Sequence, residues 1–138
     1  MECVNEKLWP VLIGILAGVF GYLFTTFFMQ PVLRYRDIKN QVLMDFIYYA
    51  QVVNAKELNE DMQALFNQRV LANRKTSAQL SAAIQDLPWL YMGFIKLKGH
   101  RPTEAATLLI RYSNTTEYEE AHKIEAAIRR KLGLPKEA

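Results

Sequence analysis

The chain opens with an unbroken apolar run and then changes to segments in which apolar and polar positions alternate with helical spacing. From Leu8 to Met29 (LWPVLIGILAGVFGYLFTTFFM) there is no charged residue. As a helix rising about 1.5 Å per residue, this run would span roughly 33 Å, close to the hydrocarbon thickness of a bilayer. A buried core helix would show a polar face, and Thr25 and Thr26 are too few to make one. A secretory signal would be shorter and end in small residues, whereas this run ends in Phe27, Phe28, Met29, Gln30 and Pro31. A lipoprotein signal needs a cysteine after the run, and Cys3 lies before it. The pattern therefore predicts a transmembrane helix over 8–29, preceded by a short tail over 1–7. Pro10 suits its first turn, where a missing N–H costs little, and Trp9 suits the interface.

Pro31 is expected to break or kink the chain where it leaves the membrane. Beyond it, Ile38, Val42, Phe46, Tyr49 and Val53 recur every three or four residues and predict a helix from about Val32 to Ala55. Leu43, Ile47 and Ala50 widen its apolar face. A second helical stretch runs from about Asn59 to Leu87, with Leu58, Met62, Leu65, Phe66, Ala72, Leu80 and Ile84 as apolar contacts. It contains no Gly or Pro, yet Thr76 followed by Gln79 resembles a capping box, so one helix and two helices are both compatible with it. Pro88 opens a short apolar segment that Gly99 closes, and Pro102 starts a helix carrying Ala105, Leu108, Leu109 and Tyr112. Thr116 with Glu119 forms a further capping-box pattern. The final stripe is Ala121, Ile124, Ile128 and Leu132, ended by Gly133 and Pro135. The expected fold is all-α: one N-terminal transmembrane helix, then a cytoplasmic antiparallel helical bundle over 32–134.

Charge sets the orientation. Lys7 alone precedes the apolar run among the 17 Lys and Arg, and only Glu2 and Glu6 among the 14 Asp and Glu. Arg34, Arg36 and Lys39 follow it closely, so the positive-inside rule places the larger part in the cytoplasm. These three residues are also placed to meet anionic lipid headgroups. The remainder holds 16 basic and 12 acidic residues, too mild a surplus to point to nucleic acid. The single cysteine excludes an intramolecular disulfide and a cysteine-based metal cluster.

Two surfaces stand out as binding candidates. Gly14 and Gly18 share one face of the predicted span, and Ala17 and Gly21 form a second small-residue ridge, which lets a second helix approach. The segment Trp89-Leu90-Tyr91-Met92-Gly93-Phe94-Ile95 is very apolar for its length, and a basic loop follows it. A helix plugged into the core explains this segment adequately. The sharper reading is a contact surface, with Trp89, Tyr91, Phe94, Lys96, Lys98 and Arg101 meeting a partner protein, another subunit or the membrane face.

Groups for catalysis are scarce. Glu119 and His122 share a helical face, but a di-iron bundle needs that motif twice with two further carboxylates, and one copy is present. His100 sits in a basic loop. Helical ribonucleases of the HEPN type need an arginine four to six residues before a histidine, and Arg111 is too far from His122. No phosphate-binding loop, zinc-protease helix or nucleophile elbow appears. No catalytic residue, cofactor or metal site is expected.

Leu33-Arg34-Tyr35-Arg36-Asp37-Ile38, leading into Tyr48-Tyr49-Ala50-Gln51, and the later Leu109-Ile110-Arg111-Tyr112-Ser113-Asn114 resemble motifs of a widespread family of small, uncharacterised bacterial single-span membrane proteins. Those motifs are a Tyr-Tyr-Ala-Asn-like signature and a Leu-Ile-x-x-Ser-Asn stretch; Gln51 departs from the first. The resemblance implies a bacterial inner-membrane protein with an N-terminal transmembrane helix and a cytoplasmic helical domain. In layout alone the chain is also similar to small single-span effectors of bacterial antiphage systems, one of which assembles into a ring-shaped pore. The functional expectation is a self-associating membrane protein, with a membrane-perturbing role in antiviral defence as its sharpest form. The alternative is a monomeric tether recruiting a cytoplasmic protein or RNA partner.

Overall fold

The first apolar run forms a helix that does not stop where the run ends. The computed structural model describes residues 2–52 and 59–137, with side chains from Asn5 onward. Helix α1 covers Glu2–Phe24, a π-helical turn covers Thr25–Met29, and α2 covers Gln30–Tyr48. From Asn5 to Tyr48 the 44 residues form one rod, about 66 Å long at the usual rise. The chain, expected to break or kink at Pro31, does not break there: the helix continues through it. Its ring would strike the carbonyl four residues back in a regular α-helix. The chain instead widens by one residue per turn just ahead of it, and the Gln30 N–H donates to the Thr25 carbonyl, five residues back. The strain is absorbed without a bend in register that would end the helix.

Helix α2 ends sooner than its periodicity predicts, at Tyr48, and a single 3₁₀ turn covers Ala50–Val52. Ile47 and Ala50, expected to widen the packed face, are exposed, while Leu43 is half-buried. Val53 and Leu58 lie outside the described residues. Helix α3 (Glu60–Asp86) is a single helix of 27 residues. Asn59 caps it, its side chain accepting from the Met62 N–H at 2.8 Å. Thr76 does not interrupt it: its hydroxyl donates to Asp45 on α2 at 3.2 Å, and neighbouring Ser77 donates to the Ala106 carbonyl at 2.6 Å. Helices α4 (Trp89–Leu97), α5 (Pro102–Asn114) and α6 (Tyr118–Leu132) complete the chain. The residue before α6 is Glu117, which makes no side-chain cap bond, so the pattern of Thr116 with Glu119 does not cap it.

Helix α3 packs against both α2 and α5, and α5 packs against α6. Each neighbour runs opposite to the last, as the cross-links show. Arg34 and Thr76 bridge α2 to α3 at Asp86 and Asp45. Arg69 and Ser77 reach Tyr112 and Ala106 on α5, and Arg111 and Lys131 tie α5 to α6 through Glu120 and Glu104. The shared core holds Tyr35, Val42, Phe46, Leu80, Leu109, Tyr112, Ile128 and Leu132, with Ile95 contributed by α4. Among the described residues there is no strand.

Candidate membrane-facing surface

Among the described residues nothing covers α1. No residue from Asn5 to Gln30 is buried, and Trp9, Ile13, Phe20, Tyr22 and Phe27 each expose more than half of their surface. The helix is long and apolar enough to cross a membrane. A Cβ added at Gly14, Gly18 or Gly21 would meet nothing within 4 Å. Nothing within this chain therefore requires small residues there. Ala17 completes the small-residue ridges and is likewise exposed.

The apolar exterior continues to Leu33, and the first charge after it is Arg34. Arg34 forms an exposed ion pair with Asp86 at the end of α3, at 3.3 Å. Tyr35 turns inward, almost wholly buried, and meets the Tyr91 ring of α4 edge-on at 6.2 Å. Burial, with the Tyr91 hydroxyl beside it, pushes the Tyr35 pKa up to about 12. Arg36 stays exposed. Lys39 is half-buried, and its pKa is lowered by burial first, then by Arg36 and Lys98. Of the three basic residues that follow the run, Arg34 is paired at the end of α3 and Lys39 feels the charge of Lys98 just past α4.

Helix α4 is apolar nearly all round, but its two faces have different fates. Ile95 is buried, and Tyr91 and Met92 are half-buried against the core. Trp89, Leu90, Gly93, Phe94 and Leu97 face outward and line an open trough with Lys96. Trp89 is 79% exposed and Leu97 89%. The segment is therefore no core plug. At about 100° per residue, Lys96 and Lys98 fall at opposite edges of the outward face. The Lys98 ammonium sits 4.5 Å from the centre of the Phe94 ring. Leu90 and Leu97 belong to this face as much as Trp89 and Phe94 do, and projecting the segment on a helical wheel separates them from Tyr91. Arg101 is engaged elsewhere: it donates to Glu104 at 3.1 Å, and Glu104 also takes Lys131. Those hydrogen bonds, Lys131 first and Arg101 second, hold the Glu104 carboxyl below its usual range.

Behind these surfaces runs a polar column. Arg69 is wholly buried, with its guanidinium 4.4 Å from the Tyr112 ring centre and 5.5 Å from that of Phe66. Tyr112 meets Phe46 edge-on, and Arg129 lies against Phe46 while gripping Glu125 at 2.7 Å. An open cleft of about 440 Å³ lies at this end, away from α1, lined by Phe46, Ile47, Tyr118, His122, Glu125 and Glu137 among others. The two histidines stand apart in different contacts. His122 reaches Glu137 at 3.2 Å, and His100 lies against Gly133. Among the described residues no three His, Cys, Asp or Glu side chains are grouped to hold a metal ion.

Comparisons with protein-family models, with curated proteins and with solved structures give no match.

Proposed function

We propose that the chain is a single-span membrane protein that self-associates through α1 and holds residues 32–134 as a helical domain on the cytoplasmic face. The observation that carries this reading is the exposure of the uncharged run Leu8–Met29, in which no residue is buried. The run Leu8–Met29 contains 12 Leu, Ile, Val and Phe. At roughly 0.3–0.6 kcal/mol each, insertion of these residues is favoured by about 4–7 kcal/mol. The same layout belongs to the bacterial single-span family that the juxtamembrane and α5 motifs resemble, and Arg34, Arg36 and Lys39 support the cytoplasmic orientation by the positive-inside rule. The glycines that no neighbour in this chain requires support close approach of a second α1. The span offers only Tyr22, Thr25 and Thr26 among its longer polar groups, so a channel lined by α1 would be apolar for most of its length. Assembly by packing is therefore the better-supported form, ahead of a conducting pore in antiviral defence.

The test is the mass of the full-length protein in mild detergent, measured by light scattering. The expected result is a multiple of the chain mass that falls to one chain in the Gly14→Ile, Gly18→Ile double variant. A monomer before substitution, or an unchanged oligomer after it, removes the α1 interface. A protein that stays soluble and monodisperse without detergent removes the anchor itself. A second reading, a monomeric tether for a cytoplasmic protein, draws on the mixed-charge cleft beside Phe46 and Glu125; it predicts the monomer.

A further inference from the structure

The outward face of α4 has no partner within the chain, and its position says what covers it. Three ties fix α4 beside the membrane-proximal end of α2. Asp86, three residues before Trp89, pairs with Arg34; Tyr91 packs on Tyr35; and Lys98 is among the charges that lower the Lys39 pKa. Arg34 is the first charged residue after Lys7, and between them the exterior is apolar apart from Tyr22, Thr25, Thr26 and Gln30. Tyr35 lies six residues beyond Met29, about 9 Å along the helix, which puts it at the outer edge of a headgroup layer roughly 5–7.5 Å deep. The start of α4 lies at the Arg34 end of α2, since Asp86, three residues before Trp89, pairs with Arg34 and Tyr91 packs on Tyr35.

The chemistry of the face agrees with that depth. Trp89, Leu90, Gly93, Phe94 and Leu97 point outward together, and Lys96 and Lys98 border them. Lys96 and Lys98 flank the apolar residues on either side, and Arg34, Arg36 and Lys39 on α2 add basic charge at the same end of the domain, Arg34 paired with Asp86. Aromatic and aliphatic side chains flanked by snorkelling lysines match a surface that is apolar below and anionic above.

We propose that α4 is an interfacial helix: its Trp89–Leu97 face is seated in the headgroup and upper acyl region of an anionic bilayer, next to the span that anchors the same chain. This rests on the reading of α1 as a membrane span. The seat fixes the domain against the bilayer at a second point, so the domain lies on the membrane instead of standing off it.

The chain has two tryptophans, Trp9 in the span and Trp89 on α4, and each can be read alone. The full-length Trp9→Phe and Trp89→Phe variants are reconstituted into vesicles of phosphatidylcholine and phosphatidylglycerol, with and without lipid brominated high on its acyl chains. The expected result is that Trp89, in the Trp9→Phe protein, emits to the blue of its position in water, is quenched by brominated lipid and resists acrylamide. Replacing phosphatidylglycerol by phosphatidylcholine should weaken all three effects. If Trp89 emits as in water and acrylamide quenches it freely, while brominated lipid quenches Trp9, the interfacial seat is wrong and the anchor stands. If Trp89 is shielded from acrylamide but brominated lipid leaves it untouched, protein covers the face and the proposal falls. If brominated lipid fails to quench Trp9 as well, the anchor is wrong and the seat falls with it.

Discussion

The Arg69 guanidinium lies 4.4 Å from the centre of the Tyr112 ring and donates to the carbonyl of that same tyrosine at 3.0 Å. The arginine is wholly buried, and among the described residues nothing accepts from its Nε or its Nη1. The Tyr112 carbonyl also receives the Thr115 N–H at 3.3 Å, so it keeps a partner without Arg69. Volume and stacking on aromatic rings, more than pairing, are what this side chain supplies. Arg69→Met should therefore stay within about 1 kcal/mol of the parent, since replacing a buried charge by an apolar group of similar size is often neutral. Arg69→Ala should cost about 2–4 kcal/mol through the cavity it leaves. Chemical denaturation followed by circular dichroism reads both, and equal losses in the two variants would show that the guanidinium's polarity matters after all.

His100 constrains the end of α6 through Gly133. A Cβ built on Gly133 would come 2.3 Å from the His100 Cε1, and the glycine itself holds φ at +67°. Gly133→Ala then carries two separate penalties: a left-handed backbone, costing about 1–2 kcal/mol, and displacement of the imidazole. Adding His100→Ala should remove the second and leave the first. A double-mutant cycle on thermal unfolding should show the two substitutions coupled, the pair losing less than the sum of the singles. Strict additivity would mean the ring moves aside freely.

Tyr35 and Tyr112 both titrate near pH 12, each held up first by burial. In the unfolded chain both would ionise near the ordinary value of 10. Below pH 10 the two states bind the same protons and nothing is lost. Between 10 and 12 the unfolded chain releases protons that the folded one keeps, and stability falls as pH rises, by on the order of 2–3 kcal/mol for each tyrosine once pH passes 12. Tyrosinate absorbance should thus rise in two phases: exposed tyrosines first, then these two together with the loss of helix signal. Complete ionisation near pH 10 with the helices intact would contradict their burial.

The features that could be read from the chain were those in which one physical term dominates. Leu8–Met29 declares a long helix because nothing polar interrupts it, and Asn59, Gly99, Pro102 and Gly133 mark helix ends by local backbone chemistry. The stripe Ala121, Ile124, Ile128 and Leu132 is buried as its spacing requires. What misled was polarity serving tertiary contacts. The buried face of α3 carries Arg69, Asn73, Thr76 and Ser77, so the pattern reads as an interruption although the helix continues. Thr76 resembles a cap because its hydroxyl seeks an acceptor, and the acceptor it finds is Asp45, distant in sequence. Asp45 is itself buried between Thr76 and Gln41, a role no local pattern announces. Pro31 misled for the opposite reason: a local rule was met by a local remedy, the wider turn before it.

The short α4 segment shows the limit most clearly. Its apolar content is plain, but whether that content faces inward depends on how much of α2 and α3 is free to receive it. Only the side with Tyr91, Met92 and Ile95 finds room.

From Asn5 to Tyr48 the helix is continuous through Pro31, so no loop separates α1 from α2; the wider turn at Thr25–Met29 is the one irregularity between them. Val42 and Phe46 of the core sit on the same continuous helix as α1, so the direction of α1 is handed to the core through backbone alone. Whatever sets the attitude of α1 in its surroundings therefore also aims the domain, as a shaft aims the tool mounted on it.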